Sequence, residues 1–185
     1  MNETIRSIMQ RSSTRAYTGE AVPPEKITVL KAAALAAPTA INKQENRFVF
    51  VTDKDLLAKV NEKTYEVMVA ESDNEGIALL EQRKAEDIFY NSPLVIFIYS
   101  QDSYYAAMDA GIAVQNLALA AHALGLGSCI NGRCRRAFNR EFEGNLCSTL
   151  GFAEDEEFRI AIGIGHIDKD KEPHTFDYSH IREIK

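Results

Sequence analysis

Positive charge is scarce in this chain. Its 185 residues carry 21 lysines and arginines against 27 aspartates and glutamates, a net charge of −6. That excludes a general nucleic-acid binder with a broad positive field, and any basic site has to be local. Cysteine is scarce too. Cys129, Cys134 and Cys147 make an odd number without Cys-x-x-Cys spacing, which argues against a disulfide framework and against a zinc or iron–sulfur centre. Free thiols suit a reducing cytoplasm, and the start, Met1-Asn2-Glu3-Thr4, lacks the basic flank and apolar run of a signal peptide. A membrane span needs about 20 predominantly apolar residues, and the richest apolar stretch, 102–124, is interrupted by Asp109, Gln115, Asn116 and His122. Internal repeats, low-complexity tracts and linkers are also missing. With 45% hydrophobic residues, the expectation is one soluble domain over residues 1–185 with neither nucleic acid nor membrane as partner.

The pattern of what is present alternates helices and strands. Asn2 caps a short helix to about residue 10, with Ile5, Ile8 and Met9 on one face. Pro23-Pro24-Glu25 opens a second helix that Pro38 ends. Residues 47–52 read as a buried strand, and Asp53 caps the helix after it. Residues 61–91 are polar and helical in flavour, with a break at 72–76. The nearly continuous apolar run at 94–99 predicts a central strand covered on both faces. A long helix from Asp102 or Ser103 to about Leu124 follows, rich in alanine, and glycine ends it. Its small residues suit either a subunit interface or an ordinary core. Residues 129–132 read as a short turn-containing segment, Arg133 opens a polar helix, residues 158–165 alternate as a strand, and the tail from His166 is charged and partly extended.

Chemistry concentrates near the start, at Arg11-Ser12-Ser13-Thr14-Arg15-Ala16-Tyr17. Two guanidiniums and three hydroxyls within five residues offer forked and single donors to one compact anion, as a phosphate requires. The other reading is a polar loop making local turn bonds. Three further segments follow in order: Pro-Thr-Ala-Ile-Asn-Lys-Gln at 38–44, Asp-Ala-Gly-Ile-Ala-Val-Gln-Asn-Leu at 109–117, and Leu-Gly-Leu-Gly-Ser at 124–128.

In that order and within this length, the four segments resemble the FMN-dependent nitroreductase family over nearly the whole chain, as a compact member. The resemblance implies an α+β fold with a mixed, mainly antiparallel sheet flanked by helices, and an intertwined homodimer with FMN at the interface. It implies that Arg11, Ser12, Ser13 and Arg15 hold the phosphate. Pro38, Thr39, Asn42 and Gln44 would reach the flavin and ribityl chain from the other subunit, and Ile130-Asn131-Gly132 would pass beside the ring. Asn and Gln amides both donate and accept, as the ring's edge demands, and glycine lets a backbone come close. The family often adds a basic residue near the C-terminus. Here Lys171 or Lys169 takes that place, as a point charge without arginine's fork.

The implied activity is an oxidoreductase that takes electrons from NADH or NADPH and passes them to a nitroaromatic, quinone or similar small-molecule acceptor by a ping-pong route. The flavin carries the chemistry, so no catalytic side chain, triad or metal is expected. The rival reading is an FMN-binding store or redox sensor without turnover. Two features stand outside the resemblance. Arg133, Arg136 and Arg140 would share one helical face, either to attract an anionic donor or to pair with surface carboxylates. His166 either borders the site or is structural.

Overall fold

The computed structural model describes residues 2–83 and 87–184. Its centre is the apolar run read from sequence. Strand β2 (Leu94–Gln101) lies between β1 (Arg47–Val51) and β4 (Glu156–Gly165), and β3 (Gly127–Asn131) pairs on the far side of β4, giving the order β1-β2-β4-β3. Every ladder is antiparallel. Among the described residues, the one parallel pairing is an isolated bridge from Ser13 to Ser128 of β3.

Because side chains alternate along a strand, β2 feeds two cores. Leu94, Ile96 and Ile98 join Ile162 and Ile164 against α5 (Ala106–Ala123) and α2 (Pro24–Leu35). Val95 and Phe97 face the other way, onto α3 (Lys54–Ala70) and the aromatic residues Phe138 and Phe152. Both faces are covered, which is why the sequence shows a run instead of an alternation. The remaining helices are α1 (Glu3–Gln10) and α4 (Asn74–Arg83). No helix among the described residues is long and apolar enough to cross a membrane.

Local signals act as chemistry requires. The Asn2 side chain accepts the Ile5 N–H at 3.0 Å, and Asp53 accepts those of Asp55 and Leu56. At the end of α5, Gly125 adopts φ +70, its N–H reaching the His122 carbonyl while Leu126 N–H reaches Ala121. These two bonds form a Schellman stop, which is where glycine was required.

Four boundaries differ from the sequence reading. Helix α2 stops at Leu35, because the residue before Pro38 is disfavoured in helical conformation. Helix α5 begins at Ala106, after a turn closed by Ala106 N–H donating to the Ser103 carbonyl at 3.1 Å, and Asp102 pairs with Arg159 at 3.2 Å. Residues 129–131 belong to strand β3, paired with β4. The segment after it is a tight 3-10 turn, Arg133–Phe138, not a regular helix. Of the break expected at 72–76, residues 72 and 73 lie between α3 and α4, whereas 74–76 already form the first turn of α4, where the Asp73 side chain accepts the Gly76 N–H at 2.8 Å. Within the polar stretch 61–91, residues 84–86 lie outside the described residues, as do Met1 and Lys185.

Candidate functional site

Helix α1 ends where Arg11 N–H closes onto the Ser7 carbonyl at 3.1 Å, and the chain then runs extended beside the sheet. Thr14 N–H donates to the Ser128 carbonyl at 2.9 Å, Thr18 N–H to that of His166 at 3.1 Å, and Asp168 N–H to that of Ala16 at 3.0 Å. Thr14 and Tyr17 turn inward and are buried. The Tyr17 hydroxyl donates to the Gly163 carbonyl at 3.1 Å. Burial, then the neighbouring Cys129 and Tyr90, push its phenol pKa upward, so it stays a neutral donor. The close approach depends on Gly127, where a Cβ would stand 2.5 Å from Thr14 Oγ1.

This docking leaves a cavity of about 110 Å³ at the start of β3, lined by Arg11, Ser12, Thr14, His122, Ser128 and Lys171, with Asp170 as the acidic member. Ser13 and Arg15 lie outside it. Arg15 instead lies near the Cys129 thiol, one residue further along β3, where its charge favours the thiolate. Among the described residues, none of Arg11, Arg15 and Lys171 is in an ion pair with a carboxylate. Three cations without counter-ions, beside hydroxyls, are the donor set of a phosphate site. Ligand pockets start at about 300 Å³, so this cavity has room for an anionic head group and not for a whole nucleotide.

Burial raises the Cys129 pKa, opposed by Arg15, Lys171 and Arg11, and burial likewise raises those of Cys134 and Cys147. All three therefore remain thiols at neutral pH. Native protein is expected to be inert to a thiol-exchange reagent such as DTNB at pH 7, with all three groups reacting once it is unfolded. Fast reaction of one thiol in native protein would overturn this environment for it.

From the cavity, β3 leads along one side through Ser128 and Ile130, roughly 7 Å of strand, and Gly132 follows just beyond its end. Ile130 is 38% exposed. Asn131 points elsewhere. Its amide donates to the Ile88 carbonyl at 2.7 Å and accepts Arg133 N–H at 2.8 Å. Both ends of that side chain are thus engaged inside the chain, and its contribution is to shape the turn carrying Gly132. A Cβ at Gly132 would meet Ile160 Cδ1 at 3.5 Å, an ordinary contact. Among the described residues, nothing requires glycine there.

The segment 38–44 lies before β1, whereas the anion cavity lies at β3, the opposite edge of the sheet. Three inter-strand spacings, roughly 14 Å, separate the two edges. Ile41, Asn42 and Gln44 all have positive φ, at 46, 56 and 53°, costing about 1–3 kcal/mol each for non-glycine residues. Thr39 Oγ1 accepts Gln44 N–H at 2.9 Å, and the Gln44 amide donates to Asn42 Oδ1 at 3.1 Å. The two amides thus form one unit, at the surface. Thr39 and Gln44 also line a cleft of about 510 Å³ between α2 and β1, with Leu35, Phe48 and Phe50.

The arginine stripe divides. Arg136 pairs with Glu71 at 2.6 Å, whereas Arg140 lies beyond the 3-10 turn and donates to the carbonyls of Ala153 and Glu156. A three-residue period replaces the expected helical face. His166 follows β4, its carbonyl taking Thr18 N–H and its buried Nε2 without a partner among the described residues. Sequence reasoning gave no role to His122 or Ser128. Ser128 had a signal, as the last residue of Leu-Gly-Leu-Gly-Ser; His122 had none, because its place in the cavity depends on how α5 packs.

Known proteins share this fold. A nitroreductase with bound FMN from Desulfitobacterium hafniense DCB-2 superposes with a TM-score of 0.90 at 28% identity, covering 100% of both chains. An FMN-dependent nitroreductase from Clostridium difficile R20291 gives 0.83 at 26% identity, covering 98% of this chain and 99% of that one. The FMN reductase [NAD(P)H] of Bacillus subtilis (strain 168) is 30% identical over 146 residues, 73% of this chain, which spans 56% of that protein's length. The NADPH-flavin oxidoreductase of Vibrio harveyi is 27% identical over 173 residues, covering 93% of this chain and 69% of its own. The profile of the Nitroreductase family matches residues 8–166, from the end of α1 past the last strand, and on that match the chain belongs to the nitroreductase family.

Proposed function

We propose that this protein is an FMN-dependent oxidoreductase that works as a homodimer. The observation that carries the reading is that Arg11 and Lys171 line the cavity at the start of β3 and Arg15 stands near Cys129 next to it, all three unpaired with any carboxylate among the described residues. A phosphate bound there would place the rest of the cofactor along Ser128, Ile130 and Gly132. Gly132, whose hydrogen no internal neighbour requires, would leave its backbone open to the ring. When bound, FMN supplies hydride acceptance and donation, so NAD(P)H and a nitroaromatic, quinone or related acceptor would use one site in turn, a ping-pong cycle. The chain's own part is to hold the phosphate, orient the ring and exclude water.

A second copy completes the site. The 110 Å³ cavity does not hold a nucleotide, and Pro38, Thr39, Asn42 and Gln44 sit at the other sheet edge. They would reach the flavin of the opposite subunit, with Asn42 and Gln44 offering amide donors and acceptors. Exposed apolar residues on α1 (Ile5, Ile8, Met9), on α5 (Met108, Ile112) and along the tail (Phe176, Tyr178, Ile181) are what an intertwined dimer would bury. Buried, protonated thiols suit a reducing cytoplasm.

The test is the absorption spectrum of purified protein, anaerobically, before and after NADH or NADPH and then a quinone. A yellow dimer bleached by one nucleotide and reoxidised by the quinone is the expected result. A yellow protein reduced by neither nucleotide would make it a flavin store or redox sensor, and one that stays colourless after reconstitution with FMN would reject the cofactor.

A further inference from the structure

Asp109 is an acidic side chain buried to 8% exposure in the first turn of α5. None of the ion pairs among the described residues includes it. Both of its oxygens face one backbone group, Ala40 N–H, at 3.1 and 3.2 Å. The positive end of the helix tolerates a carboxylate there, but the contact asks for a further reason.

That reason lies one residue beyond Ala40. Ile41, Asn42 and Gln44 hold left-handed conformations without a glycine among them, and such geometry persists only where surroundings over-determine it. The other hydrogen bonds of segment 38–44 are local: Thr39 to Gln44, Asn42 to Gln44, and Arg47 to the Gln44 carbonyl at 3.0 Å. Among the described residues, Asp109 makes the one hydrogen bond that ties this segment to a distant element, 69 residues away in sequence. The local bonds set the shape of the turn. The Asp109 bond sets where that shape points.

We infer that Asp109 is a positioning residue for the cofactor: through Ala40 N–H it orients the coupled amides of Asn42 and Gln44 toward the flavin without touching it. The inference rests on the FMN reading above. It gives the buried carboxylate a role at a group that lies on another subunit.

Apoprotein of the parent, Asp109→Ala and Asp109→Asn is titrated with FMN by fluorescence quenching, and trypsin cleavage after Lys43, inside the segment, is timed in each. The midpoint potential of bound flavin is read alongside. Asp109→Ala is expected to weaken FMN about tenfold, because two side chains must now be ordered on binding, to shift the potential and to speed the Lys43 cut. Asp109→Asn retains one oxygen for Ala40 N–H and is expected to recover most of the affinity. An FMN dissociation constant within about twofold of the parent's in Asp109→Ala, or an unshifted midpoint potential, would overturn the inference, whatever the cleavage rate. Should Asp109→Ala not fold, Asp109→Ser, too short for the contact, is judged by the same criteria. A parent that binds no FMN fails the cofactor reading itself, and the inference with it; a parent that binds beside an unaffected variant fails this inference alone.

Discussion

Replacing Arg11 and Arg15 together by alanine is expected to release FMN while leaving the fold in place. Hydrogen bonds to charged groups contribute about 1.5–3 kcal/mol each, so losing both guanidiniums removes about 3–6 kcal/mol and raises the dissociation constant by roughly two to four orders of magnitude. The backbone of the heptad does not depend on either side chain. It is held by the bonds of Thr14 to Ser128, Ala16 to Asp168 and Thr18 to His166, and by the buried side chains of Thr14 and Tyr17. Arg15 is exposed and Arg11 half-buried, so neither leaves a cavity in a core. Circular dichroism and the thermal midpoint should therefore stay close to the parent's while the flavin absorbance is lost. Salt offers an independent check. FMN affinity of the parent should fall with ionic strength, and that of the variant should respond less, because the cations that salt screens are gone. A double variant that purifies with a full complement of FMN would show that the phosphate lies elsewhere.

Substituting Gly127 by alanine is expected to damage stability and cofactor binding together. The new methyl would stand 2.5 Å from Thr14 Oγ1 and 2.8 Å from both Thr14 Cβ and Ile167 Cγ1. Thr14 is only 3% exposed and its N–H is bonded to the residue next to the substitution, so relief requires the heptad to move away from β3. Overpacking of this kind costs about 1–3 kcal/mol, and each kcal/mol lowers the thermal midpoint by about 2–4 °C in a chain of this size. Arg11 and Ser12 would move with the heptad, opening the cavity they line. Gly125, two residues earlier, is the control. A Cβ there meets nothing within 4 Å, but its φ is +70. Alanine at 125 should cost stability, by about 1 kcal/mol, and leave FMN affinity near the parent's. If Gly127→Ala retained both properties, the contact between Thr14 and β3 would not be what shapes the cavity.

These two glycines show how far a single chain of letters can be read. Gly125 was legible because a Schellman stop is local: helix, glycine and the following Leu126 are contiguous, and the left-handed conformation is a property of that one residue. Asn2, Asp53 and the strand at 94–99 were legible for the same kind of reason, since caps act over three residues and a strand buried on both faces must be apolar throughout. Gly127 serves a contact with Thr14, more than 100 positions away, and no local pattern announces it. Strand β3 was hidden likewise. Gly-Ser-Cys-Ile-Asn has little strand propensity, and it is a strand because the edge of β4 on one side and the heptad on the other supply its partners.

The candidate site divides along the same line. Residue types and their order were enough to point to the family and to single out the heptad and 38–44 as two polar segments rich in donors, because donor chemistry is written into side chains regardless of where they end up. Tertiary structure alone decided that Lys171, Ser128 and His122 join Arg11 and Ser12 around one cavity, that Arg15 stands beside Cys129, that the Asn131 amide is engaged with Ile88 and Arg133, and that the two polar segments occupy opposite edges of the sheet. Each of these is a long-range contact, set by strand order and by the packing of α5, and a one-dimensional pattern carries the chemistry of a group without the neighbours that determine its use.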